Sequence, residues 1–260
     1  RDIGVTGVQT CALPILNYAA DKLDLKRDIT FKARVVSARY DEGENLWHVE
    51  TDQGGHYAAR FLITAVGCLS SANLPKIDGI ADFQGKWYHT GEWPHEGVDF
   101  SGKRVGVIGT GSTGIQAIPV IAAAAKHLTV FQRTANYSIP ARNGPLSADF
   151  KKYVRENFAE IRDVMRSTVN GHPWRIADRS VLEVSEEERN EIFEKAWEKG
   201  GLRLRAEFRD VLTNEEANKI VSDFLKKKIG QVVKDPAKAA ILADIDHGFG
   251  TKRPPIDTGY

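Results

Sequence analysis

Residues 104–114, RVGVIGTGSTG, are the stretch on which the fold prediction depends. The pattern indicates a buried β-strand, a tight glycine turn and the start of an apolar helix, which is the context of a dinucleotide-binding fingerprint. Gly109 permits the tight turn, Gly111 lets the backbone approach a diphosphate, and Gly114 lets helix and strand pack closely. A strand–turn–helix that uses glycine without binding a nucleotide is the alternative. We assign cofactor contacts to Gly109, Thr110, Gly111, Ser112, Thr113, Gly114 and Gln116.

The next predicted strand, residues 128–131, indicates which nicotinamide cofactor is preferred. About 20 residues after the glycines, an NAD site carries Asp or Glu for the ribose 2′-hydroxyl. This sequence has Gln132, Arg133 and Thr134 there. A guanidinium binds a 2′-phosphate bidentately, whereas a carboxylate would repel it. We therefore predict NADPH, with Arg133 as the main contact and Thr134 adding a hydroxyl; an Arg133 that is merely solvated at the surface is the alternative.

A second motif lies directly before the nucleotide turn. Residues 83–94 follow the pattern F-x-G-x-x-x-H-x-x-x-W-P, which resembles the fingerprint of the type I Baeyer–Villiger monooxygenases, flavoproteins that insert oxygen beside a ketone. N-hydroxylating and other flavin-containing monooxygenases look similar here but typically lack the Trp-Pro ending. The resemblance implies a conformational role for the motif rather than acid–base chemistry by its histidine. Its members are Phe83, Gly85, His89, Trp93 and Pro94.

The resemblance implies the fold class and the cofactors. It predicts an α/β fragment of a flavoprotein with two dinucleotide-binding domains: a Rossmann-like NADPH domain with a helical insertion, and part of an FAD domain. Residues 29–40, 46–51 and 56–59 predict an antiparallel meander, and residues 60–67 predict a strand buried on both faces. By resemblance, Val35 and Gly67 lie near FAD, although Val35 could equally serve only the core. The main flavin glycine loop is expected upstream of this sequence.

The last part of the sequence predicts a helical insertion and a return segment. We expect an amphipathic helix over 148–165, helices opened by capping boxes at Ser185 and Thr213, and a solvated face at 226–228. Residues 248–260 resemble the family's Gly-x-Lys-Arg segment. By that resemblance Lys252 helps to bind the 2′-phosphate and Arg253 is the catalytic arginine, which stabilises the flavin peroxide and the charge that develops on the substrate.

The sequence thus predicts five segments. Residues 1–15 resemble the translation of a sequencing adaptor and are expected to be non-native, a genuine Thr/Gly-rich loop being the alternative. We predict a partial FAD domain (16–72), an NADPH domain (73–146), a helical insertion (147–246) and a return to the NADPH domain (247–260). The resemblance extends over residues 16–260 of a family about twice as long, so the chain is expected to be an incomplete fragment.

Composition narrows the range of partners. The chain has 260 residues, is 42% hydrophobic and 27% charged, and carries a formal net charge of +1. There is no dense basic block and no apolar run of roughly 18 residues, so neither nucleic acid nor a membrane is an expected partner, and no obligate protein partner is evident. Two cysteines without metal spacing, Cys11 and Cys68, fit a reducing cytoplasm and predict no metal site.

The resemblance also implies the reaction of the complete enzyme. It would bind FAD and NADPH, reduce the flavin, capture O2 as a C4a-peroxyflavin and convert a ketone to an ester or lactone. An N- or S-hydroxylating flavin monooxygenase is the nearest alternative, and Trp93-Pro94 disfavours it. An NADPH-binding remnant without oxygenation is the alternative from another class.

Overall fold

The computed structural model describes residues 7–67 and 69–259, with side chains from residue 14 onward, and forms two compact units. The first unit ends at Val98 and the second begins at Asp99. The first contains Gly7–Lys22 (α1), Val35–Asp41 (β1), Leu46–Thr51 (β2) and His56–Ala59 (β3). The second contains Arg104–Ile108 (β4), Ser112–Ala124 (α2), His127–Phe131 (β5), Ile139–Pro140 (β6), Ala148–Glu156 (α3), Phe158–Ser167 (α4), Glu186–Lys199 (α5), Glu215–Val232 (α6), Pro236–Ala243 (α7) and Ile256–Asp257 (β7). The finer division of the chain stays a prediction.

The predicted meander in the first unit is confirmed. β1 pairs antiparallel with β2, and β2 pairs antiparallel with β3. The carboxylate of Asp41 closes the first turn by accepting hydrogen bonds from the backbone N–H groups of Gly43 and Glu44 at 2.9 and 3.0 Å. These backbone hydrogen bonds hold the pKa of Asp41 below its ordinary value, the largest effect coming from Glu44.

The first strand is shorter than the sequence predicts. It begins at Val35 rather than at Ile29, because the chain turns at Lys32, which has a positive φ of 58°. The backbone of Arg34 then aligns the strand through two hydrogen bonds with Asp52. The Arg34 N–H donates to the Asp52 carboxylate at 3.0 Å, and the Arg34 carbonyl accepts from the Asp52 N–H at 2.9 Å. Phe31, predicted as an apolar member of the strand, is 62% exposed.

The buried strand predicted over residues 60–67 is wrong for this structure. Residues 61–67 adopt no regular secondary structure, and Phe61 and Ile63 are 81% and 86% exposed. A strand that is buried on both faces needs hydrogen-bonded neighbours at its edges and layers above and below it. Among the described residues the three strands of the first sheet pair only with one another, so residues 60–67 have no such neighbour.

Apolar residues recur at helical spacing over residues 16–25, which predicts the end of an amphipathic helix, and a helix is observed there. α1 ends at Lys22, and the chain continues into a 3₁₀-helix over Leu25–Asp28. α1 begins at Gly7, so part of the stretch that we consider non-native is helical, while residues 1–6 lie outside the described residues. A helical conformation does not depend on the origin of the residues, and the assignment of residues 1–15 therefore stays a prediction.

The second unit opens with the predicted nucleotide fold. β4 and β5 pair in parallel, from Arg104 opposite His127 to Ile108 opposite Phe131, and α2 forms the crossover between them. The turn that leads into β4 is fixed by Asp99, whose pKa is lowered by hydrogen bonds from the side chain and the backbone of Ser101. This β–α–β arrangement confirms the predicted Rossmann-like element.

The helical part of the second unit confirms most of the predicted helices and corrects two details. The helix predicted over 148–165 is broken at Asn157 into α3 and α4. Ser185 caps α5, but α6 is capped by Asn214 and not by Thr213, because the Asn214 side chain accepts a hydrogen bond from the Ala217 N–H at 3.0 Å. The core between these helices contains Val181, Phe193, Leu204, Phe208, Val211, Val221 and Leu225.

The solvated face predicted at 226–228 holds for Lys227, which is exposed, but not for Lys226 and Lys228. Lys226 donates to the backbone carbonyl of Ile245 at 2.8 Å, and Lys228 is buried, with only 9% exposed. The ammonium of Lys228 forms an ion pair with Glu194 and lies 5.7 Å from the ring centroid of Trp197. Burying this charge is tolerated because a carboxylate and an aromatic face compensate for the lost water.

Candidate cofactor site

The glycine turn between β4 and α2 has the geometry that the fingerprint predicts. Gly109 has a φ of 97°, a conformation that strongly favours glycine, and its N–H donates to the carbonyl of Phe131 at 2.9 Å. This bond joins the turn to the end of β5. The glycine turn and the end of β5 are therefore held side by side at the carboxyl edge of the two strands, where dinucleotides bind in this architecture.

The other two glycines of the turn differ in what surrounds them. A Cβ on Gly114 would come closer than 3.0 Å to the backbone carbonyl oxygen of Gly109, so the first turn of α2 packs directly against the glycine turn. A Cβ on Gly111 would meet nothing within 4 Å. Gly114 is therefore required by packing inside the chain, whereas Gly111 borders open space, and its contact with a diphosphate stays a prediction.

The first turn of α2 offers backbone donors to an anion. Ser112 and Thr113 are exposed, and Gly114 and Gln116 are half-buried. The first backbone N–H groups of a helix have no carbonyl partners within the helix, and the helix dipole adds positive charge at this end. The opposite face of α2 is anchored by Ile115, Ala117, Ile118 and Ile121, which are buried. The helix thus presents its N-terminus at the glycine turn, as a phosphate site requires.

The end of β5 carries the residues predicted to recognise the 2′-phosphate. The hydroxyl of Thr110 donates to the side-chain oxygen of Gln132 at 3.2 Å, a link between turn and strand end that the sequence does not reveal. Arg133 is exposed and Thr134 is half-buried. Within the described part of the chain, no carboxylate forms an ion pair with Arg133. Its guanidinium is accordingly available for an anionic ligand.

The return segment lies against the chain that follows Arg133. β6 and β7 pair in parallel, and the side chain of Asn136 donates to the backbone carbonyl of Arg253 at 3.0 Å. Asn136 is three positions after Arg133 in the sequence. The structure therefore brings Lys252 and Arg253 to the same part of the second unit as the strand end, with both side chains exposed.

A buried tyrosine anchors the chain that leads into the return segment. Tyr137 is 1% exposed, and its hydroxyl donates to the carbonyl of His247 at 2.7 Å. The Nε2 of His247 lies 3.2 Å from the carbonyl of Ala135, and its ring meets the Tyr137 ring edge to face at a centroid distance of 5.6 Å. Sequence reasoning missed these residues because the two hydrogen-bonded pairs are separated by 110 and 112 residues in the chain, and no local pattern connects such distant positions.

Asn218 is the second anchor of the return segment and was also missed. Its side-chain nitrogen donates to the carbonyls of Val211 and Phe249, both at 2.8 Å, and its oxygen accepts from Ser222 at 3.3 Å. Ser222 in turn accepts from the Phe249 N–H at 3.0 Å. A side chain added at Gly248 would overlap Asn218, so this glycine is required by the anchor.

Replacing Asn218 by alanine is expected to lower the free energy of unfolding of this chain by about 1–3 kcal/mol, because it leaves two half-buried carbonyls and a hydroxyl without their partner. Thermal unfolding followed by circular dichroism measures the effect. Asn190→Ala, at an exposed position of α5, is the matched control. Equal melting temperatures for the two variants would show that Asn218 does not anchor the segment.

The residues implied for FAD lie in the first unit. Val35 opens β1 opposite Thr51 and is 55% exposed, so it is not a core residue of this unit. Gly67 has a φ of 74° and would meet nothing within 4 Å if it carried a Cβ. Both positions are open to a ligand, and their contact with FAD stays a prediction.

The members of the fingerprint motif contact one another or their close neighbours. A Cβ on Gly85 would lie 2.7 Å from the ring of Phe83. The Nδ1 of His89 accepts a hydrogen bond from the Gly91 N–H at 3.1 Å and caps a 3₁₀-helix over Thr90–Glu92. The ring of Trp93 lies 5.8 Å from that of Tyr88, and the carbonyl of Pro94 accepts from Gly97. His89 thus caps a local 3₁₀-helix, and the conformational role of the motif stays a prediction.

Two further features concern residues away from the nucleotide turn. No group of three or more His, Cys, Asp or Glu side chains that could hold a metal occurs among the described residues, and the side chains of Cys11 and Cys68 lie outside them. For Trp174 the sequence favours packing in the core, and the family resemblance implies the lining of a substrate cleft as the alternative; Trp174 is half-buried and lines a cavity in the helical part of the second unit.

Comparison with known proteins identifies relatives over nearly the whole chain. The profile of the family described as pyridine nucleotide-disulphide oxidoreductase matches residues 16–197. Cyclohexanone 1,2-monooxygenase from Acinetobacter sp. is 47% identical over 247 residues, which are 94% of this chain and 45% of that protein. Phenazine N-monooxygenase PhzNO1 from Lysobacter antibioticus is 40% identical over 250 residues, 95% of this chain and 46% of that protein.

Among solved structures, the crystal structure of OTEMO in complex with FAD and NADP matches with a TM-score of 0.90 at 43% identity. The match covers 95% of this chain and 47% of that one. The chain therefore spans about half the length of the relatives that it matches.

Proposed function

This chain belongs to the pyridine nucleotide-disulphide oxidoreductase family and is homologous to Baeyer–Villiger monooxygenases, and we propose that it forms half of an enzyme that uses FAD, NADPH and O2 to convert ketones to esters or lactones. The observation that carries the proposal is the nucleotide turn. The turn has a positive-φ glycine, a glycine that excludes a side chain, and an unpaired arginine where an NAD site has a carboxylate.

We assign NADPH binding to the second unit. The diphosphate rests on the turn and the first turn of α2, and Arg133, Thr134 and Lys252 bind the 2′-phosphate. The hydrogen bond between Thr110 and Gln132 fixes the distance between these two parts of the site. The hydrogen bond from Asn136 to the carbonyl of Arg253 supports the assignment of the neighbouring Lys252 to this site.

The part of the FAD site carried by this chain is small. Val35 and Gly67 are the proposed contacts, and both are open in the first unit. Bound FAD supplies the oxygen chemistry, whereas the chain supplies binding, orientation and electrostatics. The fingerprint residues are proposed to order the segment that precedes the NADPH unit, since His89 accepts a hydrogen bond from Gly91 and the rings of Trp93 and Tyr88 are in contact.

Arg253 is the proposed catalytic residue. Its backbone is fixed by Asn136, and Pro255, two positions later, is buried, while its side chain remains exposed. A permanently charged guanidinium held on a fixed backbone can stabilise the negative charge that develops on oxygen during the transfer. Arginine stays charged in a protein environment in which lysine or histidine could lose its proton, so arginine suits this role better.

N-oxygenation is a second candidate, because a phenazine N-monooxygenase is 40% identical to this chain. Trp93-Pro94 in the fingerprint favours oxygenation of a ketone. Product analysis separates the two: an ester or lactone from a cyclic ketone supports the first, and an N-oxide from a phenazine supports the second.

A cytoplasmic location is proposed from the cysteine usage alone.

The family match begins at residue 16, which supports the proposal that residues 1–15 are non-native. We also propose the four remaining segments as predicted, namely a partial FAD domain (16–72), an NADPH domain (73–146), a helical insertion (147–246) and a return segment (247–260).

The NADPH assignment is tested with Arg133→Ala. We expect this change to weaken NADP⁺ binding by about tenfold to a hundredfold, because it removes a charge-assisted contact to the 2′-phosphate. Binding of NAD⁺, which lacks that phosphate, should stay the same. Calorimetric titration of both nucleotides measures the effect, with Arg155→Ala in α3 as a charge-matched control. Equal losses for NADP⁺ and NAD⁺ would remove Arg133 from the phosphate site.

A further inference from the structure

Three side-chain hydrogen bonds join residues 135–137, which follow the strand end of the nucleotide site, to residues 247–253 of the return segment. Two of them are donated by Asn136 and Tyr137 to backbone carbonyls of the return segment. The third runs in the opposite direction, from the ring of His247 to a carbonyl of the first segment. Of these three side chains, histidine is the one whose charge changes near neutral pH.

Both ring nitrogens of His247 face carbonyl oxygens. Nε2 lies 3.2 Å from the carbonyl oxygen of Ala135, and Nδ1 lies 3.1 Å from that of Gly248. A neutral imidazole carries one N–H, so its second nitrogen would turn a lone pair toward an oxygen. The protonated ring donates from both nitrogens. His247 therefore makes both hydrogen bonds only when it carries a proton on each nitrogen.

The backbone that accepts these hydrogen bonds is fixed by other contacts. The Gly248 carbonyl belongs to the same peptide group as the Phe249 N–H, which donates to the hydroxyl of Ser222 at 3.0 Å. The same carbonyl also accepts from the Thr251 N–H at 3.2 Å, directly before Lys252 in the sequence. A change in the protonation of the histidine is therefore expected to alter its link to Ala135 rather than to turn the Gly248 carbonyl away.

The charged side chains on the joined segments and beside them are cations, apart from one exposed aspartate. They are Arg133, Lys226, Lys252, Arg253 and Asp246. Within the described ranges no carboxylate forms an ion pair with His247, and the ring that packs against it is the uncharged phenol of Tyr137, edge to face at 5.6 Å. Neighbouring cations oppose a further positive charge, whereas a bound dianion offsets them. Proton binding and phosphate binding should thus support each other.

We propose that His247 is a positioning residue for NADPH, which takes up a proton when the 2′-phosphate binds and then holds the chain after Arg133 against the chain before Lys252. The inference rests on the proposed NADPH site. His247 acts through the carbonyls of Ala135 and Gly248 and not by touching the cofactor. NAD⁺ lacks the phosphate, so its binding should not depend on this histidine.

The test is calorimetric titration of the full chain with NADP⁺ and NAD⁺ in two buffers of different ionisation enthalpy, which together give the number of protons taken up. We expect more proton uptake on NADP⁺ binding by the unmutated chain than by His247→Phe, which keeps a ring but loses both nitrogens. His247→Phe should also weaken NADP⁺ binding by about threefold to tenfold, through the loss of its hydrogen bonds, and leave NAD⁺ binding unchanged.

The pH profile gives a second readout that a purely structural role would not produce. The protonated form makes the extra hydrogen bond, so its contribution is present at low pH and is lost as the pH rises. Between about pH 6 and about pH 8, the advantage of the unmutated chain over His247→Phe in NADP⁺ affinity should shrink. Taking the ratio of the two affinities cancels the protonation of the phosphate itself, which both proteins share.

Two further variants complete the design. His247→Gln keeps a donor that does not titrate, so it should retain most of the NADP⁺ affinity without the proton uptake, even if His247→Phe fails to fold. His127→Phe, at the exposed first position of β5, is the matched control and should change neither quantity. The same proton uptake with and without His247, or equal losses for NADP⁺ and NAD⁺, would overturn this inference alone. An unmutated chain that does not bind NADP⁺ would refute the proposed function and this inference with it.

Discussion

Replacing Arg253 by alanine is expected to leave flavin reduction by NADPH intact and to lower ester formation by about a hundredfold to a thousandfold. The side chain is exposed on a backbone that Asn136 fixes, so its loss removes charge without disturbing the fold. The charge matters only when negative charge develops on oxygen, which follows hydride transfer. The expected signature is therefore NADPH consumption that no longer yields ester.

The measurement needs a hybrid enzyme in which residues 16–260 replace the matching segment of a full-length relative. Ester is quantified by gas chromatography, and flavin reduction by stopped-flow absorbance. Arg253→Lys should recover part of the activity, because it keeps the charge but not the planar donors. Arg142→Ala, another exposed arginine of this unit, is the control for general effects of losing a charge. Full ester formation by Arg253→Ala would remove its catalytic role.

Replacing Gly114 by alanine is expected to abolish measurable NADP⁺ binding and to lower the free energy of unfolding by about 1–3 kcal/mol. The added Cβ would come closer than 3.0 Å to the carbonyl oxygen of Gly109. That oxygen is backbone, so it cannot swing away as a flexible side chain would. Relief requires α2 to move away from the glycine turn, which separates the helix N-terminus from the phosphate site. Thermal unfolding and NADP⁺ titration measure the two effects.

Two other glycines give matched comparisons for Gly114→Ala. Gly111→Ala should leave stability nearly unchanged, since nothing lies within 4 Å of the new Cβ, yet it should weaken NADP⁺ binding because we assign that space to the diphosphate. Gly144→Ala, also in open space, should change neither. If Gly114→Ala kept normal stability and normal NADP⁺ affinity, the close packing of helix and turn would not be required.

The nucleotide turn was predictable from sequence because its signal is local. A β-strand, three spaced glycines and an apolar helix occupy residues 104–121, and each glycine has one physical requirement. The hydrogen bonds that hold the return segment could not be predicted from a local signal. Asn136 reaches Arg253 across 117 residues and Tyr137 reaches His247 across 110, so no pattern within a short window indicates them. Long-range contacts of this kind appear only when the chain is folded.

The wrong predictions also have physical causes. Residues 60–67 are apolar enough for a buried strand, but an apolar run becomes a strand only where neighbouring strands supply hydrogen bonds, and none does so among the described residues. The lysines at 226–228 have the composition of a solvated face, yet Glu194, 34 residues before Lys228, provides a partner that permits burial. Composition predicts average behaviour, whereas individual partners decide these cases.

We propose that this chain supplies the NADPH-binding part of a ketone-oxidising flavin monooxygenase. The decisive experiment uses the hybrid enzyme, which is purified with FAD and given cyclohexanone, O2 and either NADPH or NADH, and the lactone is quantified. We expect lactone formation with NADPH and at least tenfold less with NADH at equal concentration. A hybrid that binds FAD and folds normally but forms no lactone, or that prefers NADH, would show that this chain does not have the proposed function.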